Sequence, residues 1–155
     1  MTRYAIYCPL QDHIPTERMS ALADELCEFN VDQTDGVDSC YTYRWPDQTL
    51  VIHVMPQAEI SHHLDGFVGY VHWLCGNRGI EPNMDLIARI RDTKLVLGCV
   101  LSPDPTGEDE STDDEEENPV DALISSIIHD TKSLLFCGDA IYDERLNLII
   151  RPADG

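Results

Sequence analysis

The stretch Leu-Val-Leu-Gly-Cys-Val-Leu at residues 95–101 is the longest apolar run in the chain. Its apolar residues occupy both of the alternating faces of a strand, which is typical of a strand covered on both sides of a sheet. The run is far shorter than the roughly 20 residues that a membrane-spanning helix requires. The sequence therefore predicts a buried central strand with layers packed on both faces, and it predicts no membrane segment.

Further strands and helices flank this run on both sides. Residues 15–29 carry apolar side chains at helical spacing, and Pro46-Asp47-Gln48 is a turn signal between two strand-like stretches. Before the central run we predict, in chain order, a strand at residues 3–8, a helix at 15–29, strands at 39–45 and 49–55, and helices at 57–75 and 84–91, the last capped by Asn83. After it we predict a helix that begins at Asn118 and Pro119, and short strands at 133–137, 140–142 and 146–150.

The order of these elements predicts the fold class. Strand, helix, strand, strand occurs once before a pair of helices and once after it, and a chain of 155 residues is a common size for one domain. We therefore predict one α+β domain over residues 1–155, in which two strand-helix-strand-strand halves form a mixed or antiparallel sheet with helices packed on it. The strands at 3–8 and 95–101 should occupy equivalent central places. This topology resembles folds built from paired strand-helix-strand-strand modules.

The second part of the chain carries a resemblance to known proteins. From Met84 onward, Ile-Arg-Asp-Thr-Lys-Leu-Val-Leu-Gly-Cys-Val is followed by an acidic insert, an apolar helix, Leu-Leu-Phe-Cys-Gly-Asp-Ala-Ile-Tyr-Asp and Leu-Asn-Leu-Ile-Ile. This order of a strand with Gly, an acidic loop, a helix, Leu-x-Phe and a Tyr-Asp turn resembles small uncharacterised bacterial proteins of a domain-of-unknown-function class. The resemblance implies a similar fold and carries no agreed activity.

The charge of the chain restricts its partners. The formal net charge is −19, and binding to nucleic acid or to anionic lipid depends on clustered Lys and Arg, so the composition argues against both. It favours either solubility alone or the attraction of a basic protein as partner. Residues 103–118 hold nine of the 29 acidic residues and no large apolar side chain, which predicts a mobile acidic loop.

The cysteines and the N-terminal stretch indicate the compartment. Six cysteines are scattered singly, without a C-x-x-C pair. Most lie in apolar stretches, where a free thiol behaves as a small buried hydrophobe. The N-terminal stretch has one positive charge and an apolar run that is too short for a secretion signal. These features predict a protein of the reducing cytoplasm.

No pattern of a catalytic or cofactor site occurs in the sequence. The chain lacks a G-x-S-x-G elbow and a G-x-x-x-x-G-K-[ST] phosphate loop. The densest histidine cluster is His62, His63, Asp65 and His72, but paired metal ligands on a helix normally lie four residues apart. We therefore predict a protein that is not an enzyme, without catalytic residues, metal site or cofactor. A hydrolase or metal enzyme that uses His62, His63 and Asp65 stays an alternative.

The candidate interaction surface lies on the longest predicted helix. Gly66 and Gly69 fall with His62 and Trp73 near one side of it, away from the centre of the apolar stripe. Each glycine in a helix interior costs about 1 kcal/mol relative to alanine, so we expect a close approach there. The approach would come either from the sheet and the next helix or from a partner beside Tyr70 and Trp73. The loop adds four acidic residues to the candidate surface, namely Asp113, Asp114, Glu115 and Glu116.

Two functions fit these features. The first is a cytoplasmic interaction domain, such as an acidic inhibitor or immunity-type antagonist of a basic protein. The alternative is a small-molecule binding module with an aromatic-lined cleft between the two halves. The walls of such a cleft would come from Tyr7, Tyr41, Tyr43, Trp45 and Trp73.

Overall fold

The structure is a computed structural model that describes residues 2–10, 14–23, 25–102, 119–137 and 140–151. The described helices are α1 (Thr16–Ala21), α2 (Gln57–Arg78), α3 (Met84–Arg91) and α4 (Pro119–Thr131). The described strands are β1 (Thr2–Cys8), β2 (Glu28–Thr34), β3 (Val37–Trp45), β4 (Gln48–Val54), β5 (Leu95–Ser102), β6 (Leu134–Cys137), β7 (Ala140–Tyr142) and β8 (Leu148–Ile150).

These eight strands form one sheet in the order β2-β3-β4-β5-β1-β6-β7-β8, and every pair of neighbours is antiparallel. The central pair is β1 with β5, in register from Thr2 opposite Leu101 to Cys8 opposite Leu95. The predicted α+β class and the central place of both strands are confirmed. The strands on the two sides of the central pair follow opposite orders. On one side β4, the last strand of the β2-β3-β4 meander, lies next to β5, whereas on the other side β6, the first strand of the β6-β7-β8 meander, lies next to β1. The division into two equivalent halves therefore stays a prediction.

Helices pack on both faces of this sheet. Because side chains alternate along a strand, Ile6 and Tyr7 of β1 face opposite sides. Ile6 belongs to an apolar cluster with residues of α1 and α4, such as Met19 and Ile124. Tyr7 belongs to a second cluster with residues of α2 and α3, such as Phe67. Each helix buries its apolar stripe in this way, and the outer side of α2 is left at the surface.

The predicted helix at residues 15–29 is wrong in its second half. The helix α1 ends at Ala21, and the chain enters β2 at Glu28. Asp35 and Gly36 then connect β2 to β3 with φ angles of 58° and 81°, the positive values that a two-residue hairpin turn requires. Phe29 packs on Tyr43, with ring centroids 5.1 Å apart, as a residue of β2. Its apolar side chain fits a helical spacing and a strand equally well, and the hairpin turn decides between them.

The other predicted elements occur within a few residues of their expected bounds. The helix α2 continues three residues beyond the predicted end, to Arg78, and Gly79 caps it in the left-handed conformation with a φ of 72°. The predicted cap of α3 is confirmed, since the Asn83 side chain accepts a hydrogen bond from the Leu86 backbone nitrogen at 3.0 Å. None of the described helices is long and apolar enough to cross a bilayer.

The strand β5 is covered on both faces only over its first part. On the α2 side Val96 is buried, whereas Gly98 and Val100 are half-buried. On the opposite side Leu97 and Cys99 are buried. Burial raises the pKa of the Cys99 thiol to about 12, so this cysteine is a small apolar residue of the core, as predicted.

Candidate functional site

The predicted interaction residues of α2 lie on one exposed side of the helix, which we call the α2 outer surface. It consists of His62, Gly66, Gly69, Tyr70 and Trp73. Positions 62, 66, 69 and 73 are separated by three or four residues, so they form one row along the helix. All four are exposed, and Trp73 retains 55% of its side-chain accessibility.

The glycines of the α2 outer surface have open space in front of them. Apart from the backbone of α2 itself and the neighbouring residues, a Cβ atom built on Gly66 or Gly69 meets no atom of the described residues within 4 Å. Close packing against the sheet or the next helix, one of the two expected explanations, is therefore wrong. The absence of side chains leaves a shallow flat strip on a 22-residue helix, and a partner backbone can approach closely there.

A row of stacked rings connects the α2 outer surface to the core. Trp73 stacks on Tyr70 at 5.8 Å between centroids, and Tyr70 stacks on Phe67 at 6.5 Å. Phe67 in turn stacks on the buried Tyr7 at 4.4 Å. Trp73 is therefore an exposed aromatic side chain that is held in place by its neighbours, which reduces the entropy lost when a partner covers it.

The helix around this surface carries few charges. Among its 22 residues the Asp, Glu, Lys and Arg residues are Glu59, Asp65 and Arg78, although these four types make up a quarter of the whole chain. Asp65 is paired with Arg91 of α3 at 2.7 Å. Charged residues are depleted at the centres of protein interfaces, and aromatic residues are enriched there.

The histidine cluster of α2 is not gathered around one point. His63 turns inward and its Nε2 lies 2.9 Å from the Tyr7 hydroxyl, while His62 and His72 are exposed. Asp65 binds Arg91 instead. Within the described ranges, no three His, Cys, Asp or Glu side chains are placed to hold a metal ion.

The five aromatic residues expected to line a cleft lie in three separate places. Tyr41, Tyr43 and Trp45 are buried on the face of the sheet that carries α1 and α4. Tyr7 is buried on the opposite face, and Trp73 is exposed on the far side of α2. The structure therefore does not form the expected aromatic cleft. The four acidic residues of the candidate surface, Asp113, Asp114, Glu115 and Glu116, lie outside the described residues.

A second site, which sequence reasoning missed, is built around Asp38 in the β2–β3 hairpin. Asp32 pairs with Cys40, but the next pair joins Gln33 to Asp38, so β3 has one extra residue, Ser39, at a β-bulge. Since side chains alternate along a strand, the extra residue turns Asp38 to the same face as the buried tyrosines of β3. A carboxylate is thereby brought into the apolar side of the sheet.

Three neutral groups donate hydrogen bonds to the Asp38 carboxylate. The hydroxyl groups of Thr16 and Tyr41 lie 2.5 and 2.9 Å from Oδ2, and the amide nitrogen of Gln33 lies 2.8 Å from Oδ1. Burial, and next the hydrogen bond with Asp38, raises the pKa of Tyr41, so the phenol stays protonated and donates. Asp38 is 6% exposed and ties α1, β2 and β3 together.

The Asp38 carboxylate forms part of the wall of a cavity of about 740 Å³, which we call the hairpin cavity. Val54, Leu95 and Leu97 contribute apolar walls, and Asp35 contributes a second acidic side chain. Lys, Arg and His do not occur among the described residues that line it. A volume of this size lies within the range of roughly 300–1,000 Å³ found for small-molecule sites.

The sequence carries only an indirect signal for this site. The pair Asp35-Gly36 indicates a tight hairpin, and it would place Gln33 opposite Asp38. The bulge itself depends on the extra residue in β3, which no composition or periodicity reveals. Comparisons with protein-family models, curated proteins and solved structures find no match to this chain, so the resemblance to the bacterial domain-of-unknown-function class stays a prediction.

Proposed function

We propose that this protein is an interaction domain that docks a basic partner protein on the α2 outer surface. The observation that carries the proposal is a row of exposed residues with two unobstructed glycines and a supported aromatic side chain, on a helix with few charges. Such a strip allows a partner element to come close to the helix backbone. An aromatic residue at its end supplies the kind of anchor that dominates binding energy.

The charge of the molecule supports a basic partner. A net charge of −19 attracts a basic protein over a distance of about one Debye length and accelerates its association. The α2 outer surface is the uncharged centre, and acidic residues such as Glu59 lie at its margin. An acidic domain that covers a basic surface would act as an inhibitor or antagonist of its partner.

Site-specific photo-crosslinking tests the proposal. A crosslinking amino acid in place of His72, which is exposed beside the α2 outer surface, should capture a basic protein from a lysate of the native organism. The matched control carries the same amino acid in place of Met84, which is 65% exposed on α3. Capture at position 72 and not at position 84 supports the proposal, and equal capture at both positions contradicts it.

The captured partner then permits a quantitative test. Trp73→Ala should weaken binding by at least about tenfold, as expected when a central aromatic residue is removed. Met84→Ala should leave the affinity within about twofold of the parent protein. The association rate should fall as salt is raised, because charge steering is screened. Unchanged affinity in Trp73→Ala, or an association rate that is indifferent to salt, would reject the surface or the basic partner respectively.

A further inference from the structure

A cavity of about 390 Å³ lies between the first two turns of α2 and the connection from α3 to β5, and we call it the Lys94 cavity. Its wall consists of Gln57, Ile60, Ser61 and Leu64 from α2 and of Arg91, Thr93 and Lys94 from the end of α3 and the residues that follow. These positions of α2 lie on the side of the helix opposite to the α2 outer surface. The cavity is therefore independent of the proposed partner surface.

The charge of the Lys94 cavity is opposite to that of the whole molecule. The chain has 29 acidic residues and 10 Lys and Arg residues, yet Arg91 and Lys94 both line this cavity, and Asp and Glu do not occur among the described residues of its wall. Asp65 accepts a hydrogen bond from one Arg91 nitrogen at 2.7 Å, which leaves the other nitrogens of the guanidinium as donors. Lys94 is exposed and takes part in no ion pair between described residues. The cluster, with Asp65 included, keeps a net positive charge.

The beginning of α2 adds to the positive potential of the cavity. Gln57, the first residue of the helix, lies in the wall, and the N-cap residue Pro56 supplies no side-chain hydrogen bond. The backbone N–H groups of a first helical turn and the helix dipole favour an anion nearby. Glu59 of the same turn is exposed and does not belong to the wall. An anion in the cavity therefore meets the positive end of a 22-residue helix.

Thr93 contributes an unsatisfied polar group. The residue is 7% exposed, and the described residues offer no hydrogen-bond partner to its hydroxyl. Burying a hydroxyl without a partner is costly. The backbone around it is fixed, because the Thr93 nitrogen donates to the Ile90 carbonyl at 3.1 Å and the Lys94 nitrogen donates to the Cys8 carbonyl at 2.7 Å. An acceptor in the cavity would give this hydroxyl a partner once the side chain rotates toward it.

We propose that the Lys94 cavity binds the phosphate group of a small molecule. Lys94 and Arg91 pair with the phosphate oxygens, Ser61 donates a hydrogen bond, and Thr93 rotates its side chain to donate another. Guanidinium, ammonium and hydroxyl groups are all donors, and a phosphate supplies several acceptor oxygens for them. The net charge of −19 repels polyanions such as nucleic acid or an anionic bilayer, so the ligand is a small one.

A titration with three probes at constant ionic strength tests this proposal. The probes are inorganic phosphate, glycerol 3-phosphate and glycerol, and the amide NMR signals of Thr93 and Lys94 in the full chain report binding at the cavity itself. We expect saturable shifts with both phosphate probes and no shifts with glycerol. Equal affinities would show that the phosphate group alone is recognised, whereas tighter binding of glycerol 3-phosphate would show that the organic part contributes.

Two lysine variants separate the site from general charge attraction. Lys94→Gln should weaken phosphate binding at least about tenfold. Lys132 is the other lysine of the chain, and it is exposed directly after α4, which packs on the opposite face of the sheet. Lys132→Gln removes the same charge and should change phosphate binding less than about twofold.

Thr93→Val tests the unsatisfied hydroxyl by two measurements that should move in opposite directions. The variant keeps the shape of the side chain and removes the hydroxyl, so the melting temperature of the free protein should stay unchanged or rise. Phosphate binding should weaken at least about threefold, because one donor is lost. A purely structural role of Thr93 would not produce this combination.

Several outcomes would overturn the proposal. The absence of saturable shifts up to tens of millimolar phosphate would do so, as would equal shifts with glycerol. Unchanged binding in Lys94→Gln would place the phosphate outside the Lys94 cavity. Equal weakening by Lys94→Gln and Lys132→Gln would show that only the general charge of the molecule affects the anion. Full binding to Thr93→Val would reject the hydroxyl as a donor.

Discussion

The protonation of His63 in α2 is coupled to its packing against Tyr7. Its ring lies nearly parallel to that of Tyr7, with centroids 5.7 Å apart, and its Nε2 is hydrogen-bonded to the Tyr7 hydroxyl. Burial, followed by the charge of the neighbouring His62, lowers the pKa of His63. The neutral imidazole is therefore the form that fits against β1.

This coupling predicts how stability depends on pH. Below the ordinary histidine pKa of about 6.5 the unfolded chain binds a proton at this position before the folded chain does. The free energy of unfolding should therefore fall as pH decreases from about 7.5 to 5.5, and part of that fall should be absent in His63→Gln. Urea denaturation at several pH values measures it.

His72→Gln is the matched control for this measurement, since His72 is exposed on the same helix. It should keep the pH dependence of the parent protein. A pH dependence of His63→Gln that is identical to that of the parent would show that His63 does not contribute.

The orientation of the Asp38 side chain could not be predicted from the sequence. The strand that contains Tyr41 and Tyr43 is predicted from the sequence, but both tyrosines are assigned to the wall of a cleft, whereas they are buried in the core. One extra residue, Ser39, reverses the alternation for Asp38. Period-two patterns assume an unbroken strand, so a bulge moves a polar side chain to the core side without any change in the pattern itself.

Gly66 and Gly69 affect the stability of the helix α2. A glycine in a helix interior costs stability because it restricts more backbone freedom on folding than alanine does. Outside α2 itself, no atom of the described residues lies within 4 Å of a Cβ at Gly66 or Gly69, so the described structure gives no packing reason for glycine at either position. They are expected to be retained for contact with a partner.

We predict that Gly66→Ala and Gly69→Ala each raise the free energy of unfolding of the isolated protein by about 0.5–1 kcal/mol. Urea denaturation measures this directly. Gly79→Ala at the C-cap of the same helix is the opposite control, because the φ of Gly79, 72°, is strained for alanine and stability should fall by at least about 1 kcal/mol. A loss of stability in Gly66→Ala would mean that the helix is packed more tightly than its surface shows.

The bounds of the helices differ in how accurately the sequence predicts them. The helix α3 was predicted with its bounds, because Asn83 caps it and its apolar spacing is unambiguous. The helix α1 was predicted too long, since Phe29 continues its apolar spacing while the β2–β3 turn at Asp35 and Gly36 makes that region a strand. Local spacing cannot resolve this competition, because strand pairing depends on residues further along the chain.

The negative charge of the molecule is divided between the helices and strands and the acidic residues at 103–118. Residues 107–116 contain seven acidic residues and belong to the predicted mobile loop, which lies outside the described residues. Their composition offers no apolar side chain to offset the entropy of ordering. The Pro at the first position of α4 gives that helix an N-terminal signal of its own.

Deletion of residues 107–116 should therefore change the melting temperature by less than about 2 °C, which corresponds to less than about 1 kcal/mol for a chain of this size. Once a basic partner is identified, the deletion should lower the association rate constant and its salt dependence. The dissociation rate constant should change less. Stopped-flow kinetics and calorimetry measure the two effects.

A Gly-Ser segment of equal length is the control for this deletion, since it removes the charge and keeps the connection. It should behave like the deletion in association rate. A large fall in melting temperature in either variant would show that the segment is docked on the folded elements and that its prediction as a mobile loop is wrong.

The central position of β1 has a consequence for synthesis on the ribosome. Thr2–Cys8 is the first of the described strands, yet it pairs with β5 on one edge and β6 on the other. At about 5–20 residues per second, a nascent chain exposes β1 for several seconds before either neighbour has been made. Both strand edges and apolar side chains such as Ile6 are then open to other chains. Chaperone binding to this first strand would protect the nascent chain until β6 emerges and covers the second edge of β1.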